Sequence, residues 1–220
     1  MQDRELYAAI LGIQSPWQVG NVELKLAEGE VHVHLEHSPG VDWPCPDCGK
    51  PCALYDHQPI RRWRHLDTCQ YKTILHAAPP RSQCPDHGVH TVKLPWAEPN
   101  SRFTALFEGL AIEWMKVASQ QAVGQQLRLS WDEVHAIQDR AVRRGLERRK
   151  AEPVQRLGVD EKSFTRGHHY FTLVNDLDRG RVLFVAENRT EESLNGFWEQ
   201  WPEEHREAVT AVAMDMWDPY

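Results

Sequence analysis

The chain has 220 residues, a formal net charge of -7, and 41% hydrophobic and 26% charged residues. This length suits two or three compact units, and the composition excludes an intrinsically disordered chain, which combines low hydrophobicity with high net charge. No apolar run approaches the roughly 18 residues that a bilayer-spanning helix needs, and the first residues lack the basic and apolar regions of a signal peptide. The sequence therefore predicts a folded cytoplasmic protein without a membrane partner.

The distribution of charge changes what the net value implies about partners. Residues 59–150 carry a basic excess between two acidic flanks. Clustered basic side chains are what contact with DNA phosphates requires. The residues predicted to bind DNA are Arg140, Arg143, Arg144, Arg148 and Arg149. Carboxylates gathered in the last part of the chain suit divalent cations rather than phosphates.

Residues 1–41 predict an N-terminal helix and a β-hairpin. Residues 3–11 fit a short helix, and residues 19–26 and 31–35 alternate apolar with polar side chains across a turn. His32 and His34 fall on the polar face of the second strand. A His-x-His pair can bind metal, but a solvated strand face is the favoured interpretation.

Residues 42–100 predict a small zinc-binding module. Cys45-x-x-Cys48 and Cys84-x-x-His87 form two knuckles that each offer two ligands, and sulfur with imidazole nitrogen is the ligand set that structural zinc prefers. Five cysteines are an odd set for a disulfide framework. Such a metal-held module needs little apolar core of its own.

Residues around the knuckles leave part of the ligand set open. Gly49 and Gly88 directly after the knuckles permit the tight turns that bring backbone close to the metal. Cys52 and Cys69 fit buried thiols better than ligands, although Cys52 or His90 remains an alternative ligand.

Residues 101–152 predict a helical DNA-binding domain. A helix over 102–119 has its apolar groups at Phe103, Leu106, Phe107, Leu110, Ile112 and Trp114. A short helix over 120–127 precedes a longer one that Ser130 and Glu133 open as a capping box. The buried stripe of that last helix is predicted to be Val134, Ile137, Ala141 and Val142.

The last two helices have helix-turn-helix proportions, with a turn over 128–130. In such a motif the second helix reads DNA. A helical spacer with solvated arginines has the same pattern, and the sequence alone leaves this alternative open.

Residues 153–220 read as three strands, a helix and a buried fourth strand, the opening order of a ribonuclease H-like fold. The first and fourth strands end on Asp160 and Asp215. In such a sheet these strands are neighbours, so the two carboxylates would meet and hold divalent cations for phosphoryl transfer. Aspartates at strand ends are also common turn residues. The predicted fold class is thus multidomain α+β, ending in a ribonuclease H-like α/β domain.

Several short motifs carry a resemblance to a known family. They are Cys45-Pro46-Asp47-Cys48-Gly49, Arg62-Trp63-Arg64-His65-Leu66-Asp67, Cys84 with His87-Gly88-Val89, Pro95-Trp96-Ala97, Gly158-Val159-Asp160-Glu161-Lys162, His169-Tyr170, and Asp215-Met216-Trp217 with Pro219-Tyr220. In this order, from about residue 42 onward, the chain resembles the bacterial insertion-sequence transposases of the ISL3 family.

The resemblance implies a DDE-type transposase that binds the terminal inverted repeats of its element and a target DNA, with several copies assembling on DNA. Asp160 and Asp215 match the first two acidic residues of the triad. The third, a glutamate far downstream, has no counterpart here. Glu161 and Asp218 are close by, but the family pattern does not assign them. The implied reaction uses Mg²⁺ or Mn²⁺ to free a 3′-hydroxyl that then attacks target DNA.

The missing glutamate implies that the ribonuclease H-like domain is incomplete and that this 220-residue species cleaves nothing. We also expect exposed apolar surface around Phe184, Val209, Val212 and Trp217. A first alternative is a truncated product that occupies element ends and competes with the transposase without catalysis. A second is a zinc-stabilised transcription regulator with a ligand-sensing α/β domain.

Overall fold

The computed structural model describes residues 3–150, 152–165 and 169–215, with the backbone alone for residues 164–165. Asp218 and Trp217 lie outside the described residues. The chain divides into two compact units, Met1–Arg144 and Gly145–Tyr220. Across the described ranges, no helix has both the length and the apolar character needed to cross a membrane.

The first unit begins with a helix and continues mainly as β-structure. Its elements before residue 100 are α1 (Asp3–Leu11), β1 (Trp17–Lys25), β2 (Glu30–His37), β3 (Trp43–Pro44), β4 (Pro51–Cys52), β5 (Leu54–His57), β6 (Arg61–Thr68), β7 (Tyr71–Ala77), β8 (Pro80–Cys84) and β9 (Gly88–Thr91). The strands form a four-stranded sheet in the order β1-β2-β7-β6 and two smaller sheets, β3-β4 and β5-β8-β9. The predicted N-terminal helix and antiparallel hairpin are confirmed.

The hairpin shares its sheet with the segment that was predicted to form a separate zinc module. Strand β2 pairs in parallel with β7, so the boundary predicted at residue 41 runs through one sheet. Val33 and Leu75 from these two strands are buried in one apolar cluster with Trp17, Trp63 and Trp96. A two-stranded hairpin is marginal in water by itself, and β6 and β7 supply the apolar surface that stabilises it. The zinc-bearing segment consequently has a substantial core, contrary to the expectation.

Three helices follow, as the sequence predicts. They are α2 (Ala105–Met115), α3 (Gln120–Leu127) and α4 (Trp131–Arg148). Helix α2 is shorter than predicted because Thr104 caps it, its side-chain oxygen accepting a hydrogen bond from the Phe107 amide at 3.3 Å. Phe103 therefore lies before the helix, where it is buried together with Phe107.

The apolar stripe that the sequence predicts to be buried in α4 is only partly so, and the apolar groups of α2 divide in the same way. In α2, Leu106, Leu110 and Trp114 are exposed, while Phe107 is buried. In α4, Val142 is exposed, whereas Ile137 is buried. Each of these helices packs through a single narrow face, and a 3.6-residue period cannot tell by itself which neighbouring apolar positions lie outside that face.

The second unit contains a mixed sheet with a helix packed on it. Its elements are β10 (Arg156–Thr165), β11 (His169–Asp176), β12 (Arg181–Glu187), α5 (Glu191–Gln200), α6 (Glu203–Arg206) and β13 (Ala211–Met214). The sheet order is β12-β11-β10-β13, with β10 and β13 parallel and the other pairs antiparallel. Val154, Leu157, Val174 and Phe197 form its buried core.

Strand β13 is not buried, contrary to the prediction. All four of its residues are exposed, because among the described strands β13 is an edge that pairs with β10 alone. The expected exposure of Val212 is therefore seen, at 46%. Phe184 and Val209, by contrast, are partly buried against the Phe197 cluster, so the expectation was wrong for these two residues.

Candidate metal centre and DNA-binding helices

The structure brings together the four predicted zinc ligands. The ligand atoms of Cys45, Cys48, Cys84 and His87 all lie within 4.8 Å of one another. The Cys48 and Cys84 sulfurs are 3.8 Å apart, and Nδ1 of His87 lies 3.5 Å from Cys84 Sγ and 3.8 Å from Cys45 Sγ. With Zn–S bonds of about 2.3 Å, the edge of a zinc tetrahedron is about 3.8 Å between sulfurs and slightly shorter between sulfur and nitrogen. The four atoms fit a zinc ion without rearrangement.

Backbone turns place the two knuckles. Gly49 and Gly88 have φ of 72° and 80°, values that residues with a Cβ rarely adopt, as the position of both glycines predicted. The Gly49 amide donates to the Cys45 carbonyl at 2.9 Å. Between the knuckles, Lys50 Nζ donates to Asp86 Oδ2 at 2.5 Å. Local turns and one exposed ion pair thus preform the site.

The other cysteines and His90 occupy different positions. Cys52 is buried beside the ligands, but its thiol donates to the Lys50 carbonyl at 3.3 Å and it is not part of the four-ligand group. Cys69 is exposed. The His90 ring lies 2.5 Å from the His87 carbonyl, where it can hold the second knuckle in place. Cys45, Cys48, Cys84 and His87 are therefore the better ligand set.

The contact between Cys84 and His87 shifts the acidity of both groups. The side-chain hydrogen bond with His87 lowers the pKa of Cys84 to about 6, and the same contact raises the pKa of His87. Zinc binds a thiolate and a neutral imidazole, so Cys84 is already in the binding form near neutral pH, whereas His87 would release its proton to the solvent on binding.

A second cluster of metal-binding groups lies on the polar face of the four-stranded sheet. Glu28, Glu30 and His32 lie within 4.8 Å of one another. The prediction that His32 lies on a solvated face was wrong, because the residue is only 4% exposed. Its two ring nitrogens contact Glu30 at 2.8 Å and His76 at 2.9 Å. His34 is partly exposed and stacks on His76. Because Glu30 and His76 already engage both ring nitrogens of His32, the cluster is explained as a hydrogen-bonded chain that leads from the surface to the buried His32.

The helix-turn-helix is built as the sequence indicates. Ser130 and Glu133 make the predicted reciprocal capping box: the Ser130 amide donates to Glu133 Oε2 at 2.9 Å, and the Glu133 amide donates to Ser130 Oγ at 3.3 Å. The turn before it is closed by Arg128 in the left-handed region. Asp67, at the end of β6, forms an ion pair with Arg128 and so connects the turn to the sheet.

Two of the five arginines predicted to contact DNA have buried partners. Arg140 and Arg144 both bind Glu108, a carboxylate that is 2% exposed. The other three arginines are exposed: Arg143, which pairs with Asp139 one turn away, and Arg148 and Arg149. Arg140 and Arg144 lie three and seven residues after the buried Ile137, a spacing that places them beside the buried stripe. This spacing is the signal in the sequence that distinguishes them from the exposed arginines.

Asp160 lies within β10, and Asp215 directly follows β13. The prediction that the first strand ends on Asp160 was therefore wrong, because pairing with β11 continues the strand to Thr165. Val159 of β10 pairs with Met214 of β13, so the two aspartates are the next residues along adjacent parallel strands. Both are exposed, and Asp160 Oδ1 accepts a hydrogen bond from the Glu161 amide at 2.8 Å. Within the described ranges, no group of three metal-binding side chains less than 4.8 Å apart includes them. Glu161 Oε2 lies 3.7 Å from Arg189 Nη1, an ion pair that engages one of the two carboxylate oxygens.

Comparisons with known proteins agree with this organisation. Three protein-family models match consecutive parts of the chain: the zinc-finger of transposases IS204/IS1001/IS1096/IS1165 at residues 42–87, the helix-turn-helix domain of transposase family ISL3 at residues 92–142, and the ISL3 DDE transposase domain at residues 157–220. The chain belongs to the ISL3 family of transposases. The resemblance stated from the motifs is thereby confirmed.

The relatives that match this ISL3 chain over nearly all of its residues are transposases of insertion sequences. The transposase for IS1557 of Mycobacterium tuberculosis, in strains CDC 1551 / Oshkosh and H37Rv, is 30% identical over 226 residues, covering 99% of this chain and 50% of the relative. The transposase for IS1001 of Bordetella parapertussis is 27% identical over 222 residues, covering 100% and 54%. The chain spans about half the length of the curated relatives that it matches. No solved structure matches it.

Proposed function

We propose that this chain recognises the terminal inverted repeats of a bacterial insertion sequence through residues 42–150, which end just after helix α4, and carries in the residues that follow part of a transposase catalytic domain. The observation that carries the proposal is the order of the three transposase domain matches along one chain. Strand cleavage and transfer into target DNA, by copies assembled on the element ends, is the proposed activity of the whole transposase.

Recognition is assigned to helix α4. In a helix-turn-helix the second helix enters the major groove and its first turns reach base edges, while basic side chains further along contact phosphates. The exposed Arg143, Arg148 and Arg149 provide such phosphate contacts. Zinc held by the four-ligand group would fix the two knuckles to each other within the unit that contains α2 and α3.

The second unit is proposed to be ribonuclease H-like. The sheet order β12-β11-β10-β13 supports this fold. The parallel pairing of β10, which contains Asp160, with β13, which precedes Asp215, supports it as well. Two exposed carboxylates on adjacent strands offer the oxygen ligands that Mg²⁺ and Mn²⁺ prefer. When bound, such ions supply Lewis acidity toward the phosphate. The two aspartates hold and position them.

A second candidate function is occupation of element ends without catalysis. It is favoured by the carboxylate pair itself: within the described ranges, no third metal-binding side chain completes a group with Asp160 and Asp215. Two carboxylates hold a divalent ion less firmly than three, so the same chain can bind DNA specifically and cleave it poorly.

One titration tests both candidates. The zinc-loaded chain is titrated with a duplex bearing the element's terminal inverted repeat and with a scrambled duplex across a salt series, and strand breaks are scored with Mn²⁺ present. Tighter binding to the repeat supports element-end recognition, and equal binding to both duplexes contradicts it. Strand cleavage that Asp160→Asn abolishes would favour the catalytic candidate, and specific binding without cleavage favours the competitor.

A further inference from the structure

A single buried carboxylate joins two helices of the helix-turn-helix block. Glu108, in the first turn of α2, is 2% exposed, and Ser101 Oγ donates a hydrogen bond to its Oε1 at 2.7 Å. An ionised carboxylate in this position is costly unless cations and hydrogen-bond donors satisfy it. No motif in the sequence marks Glu108.

Both cations come from helix α4. Arg140 donates from Nε to Glu108 Oε1 at 2.9 Å, and its Nη2 lies 2.7 Å from the same oxygen. Arg140 Nη2 makes no hydrogen bond with that oxygen, so Nε–H provides the hydrogen bond and Nη2 adds only electrostatic attraction. Arg144 donates from Nη1 to Glu108 Oε2 at 3.1 Å and also lies 2.7 Å from Glu98. Each carboxylate oxygen of Glu108 thus has its own arginine.

The directions of these bonds constrain α4 more tightly than the apolar contacts do. Ile137 packs against Phe107 and Ala111, and such contacts tolerate small rotations and slides because they have no preferred direction. Hydrogen bonds from a planar guanidinium to a carboxylate have a narrow geometry. A rotation of α4 about its axis, or a slide along it, breaks the bonds from Arg140 and Arg144 together.

Stability alone is a weak explanation of this arrangement. Replacing a buried ion network by apolar groups of similar volume is often neutral or stabilising, and in some proteins such networks select one geometry among several. In this helix pair the geometry that is selected is the orientation of the helix assigned to DNA.

We propose that Glu108 is a positioning residue for the DNA-reading helix, which sets the orientation of α4 through Arg140 and Arg144 and thereby controls sequence discrimination. This inference rests on the proposed function. Base contacts require side chains placed within a fraction of an ångström, whereas phosphate contacts by flexible exposed arginines survive a small reorientation. Loss of Glu108 therefore weakens binding to the inverted repeat far more than binding to unrelated DNA.

The test compares Glu108→Gln with the wild type in the full zinc-loaded chain. Each protein is titrated with the inverted-repeat duplex and with the scrambled duplex at one salt concentration, after circular dichroism and thermal melting have established folding. We expect the ratio of specific to non-specific affinity to fall by about tenfold or more, since each lost base contact costs about that factor. Affinity for the scrambled duplex should change by less than about threefold, because its phosphate contacts remain. The matched control is Glu113→Gln, an exposed carboxylate of the same helix that pairs with Lys116 and should leave the ratio unchanged.

A second variant covers the case in which Glu108→Gln does not fold. Arg140→Lys keeps the positive charge beside Glu108 but removes the rigid guanidinium, so it should also lower the ratio. An unchanged ratio in a folded variant, with a wild type that distinguishes the two duplexes, overturns the inference and leaves the proposed function intact. A wild type that binds both duplexes equally overturns the proposed function and the inference with it.

Discussion

Burial separates the carboxylates that hold this protein together from those that are available for chemistry. Asp176 and Glu108 are 0% and 2% exposed, whereas Asp160 and Asp215 are exposed. Asp176, at the end of β11, accepts hydrogen bonds from the Asp178 and Arg179 amides at 3.0 and 3.1 Å and from Arg181 Nε at 3.1 Å. Asp176 is therefore the centre of the hydrogen bonding in the turn between β11 and β12.

Substitution of Asp176 by Asn should destabilise the second unit. The amide keeps the shape of the side chain but loses the charge that faces Arg179 and Arg181, and it places a donor opposite the backbone amides. Breaking a buried ion pair by removing one partner costs about 3 kcal/mol or more. Urea unfolding of Asp178→Asn provides the control, since that carboxylate is 30% exposed and pairs with Arg156. Equal losses in the two variants would show that burial of Asp176 is not what matters.

Low pH should remove the stabilisation that the ionised Asp176 gives to the second unit. Burial by itself raises the pKa of Asp176, but the hydrogen bonds from Arg179, Arg181 and Asp178 outweigh it and hold the pKa below its usual value. A carboxyl whose folded pKa lies below its unfolded pKa, about 3.9, stabilises the fold above that pH and ceases to do so as pH falls through the folded value. Stability measured from pH 7 to pH 2 should therefore fall below about pH 4, and less steeply in Asp176→Asn.

At the scale of elements, the turn of the helix-turn-helix contains a backbone conformation that its residue disfavours. Arg128 has φ of 57° and ψ of 48°, the left-handed conformation in which glycine is favoured after a helix. Its ion pair with Asp67 joins two partly exposed side chains, and such pairs contribute little to stability. The turn therefore has its conformation imposed by the helices on either side.

Glycine at this position should be better tolerated than alanine. Both Arg128→Gly and Arg128→Ala remove the ion pair with Asp67, but only glycine adopts φ near 57° without a steric cost. We expect Arg128→Gly to be more stable than Arg128→Ala by about 1 kcal/mol. Urea denaturation of the two variants side by side measures the difference. An alanine variant as stable as the glycine variant would contradict the left-handed turn.

The elements also show where sequence patterns are sufficient. Ser130 and Glu133 predicted the start of α4 because a capping box is local and its donors and acceptors lie within one turn. The predicted burial of Val142 was wrong, because which side of a helix is covered depends on elements distant in sequence. The same reason explains why Leu106 in α2 is exposed although Phe103 and Phe107 are buried.

At the scale of the whole molecule, two units with separate cores imply two separable responses to zinc removal. The four ligands belong to the first unit, whose core includes Trp63 and Trp96, and the core of the second unit is built around Leu157 and Phe197. Metal binding to a structural site of this type contributes directly to the free energy of folding.

Loss of one zinc ligand should therefore destabilise only the first unit. We expect Cys84→Ser to bind less than a full equivalent of zinc and to lower the melting temperature of the first unit, while amide exchange in the sheet formed by β10 to β13 stays unchanged. Zinc content by mass spectrometry and hydrogen exchange measure the two effects. Cys69→Ser is the control, because Cys69 is an exposed thiol outside the ligand group. Full zinc content in Cys84→Ser would show that the four-ligand assignment is wrong.

The sequence by itself determined the features that short spacings encode. The two knuckles fixed the candidate ligands at Cys45, Cys48, Cys84 and His87, since ligands two or three residues apart must lie close together. The helices of the helix-turn-helix and the strand order leading to Asp160 and Asp215 followed from local periodicity, and the joint order of motifs indicated the ISL3 family.

Only the tertiary structure decided what long-range contacts control. It placed the hairpin and β7 in one sheet, buried His32, and directed Arg140 and Arg144 to Glu108, more than thirty residues away along the chain. The physical reason is the same in each case. The burial of a charge or of a strand face depends on which distant surface covers it, and a local pattern of polar and apolar residues contains no information about that surface.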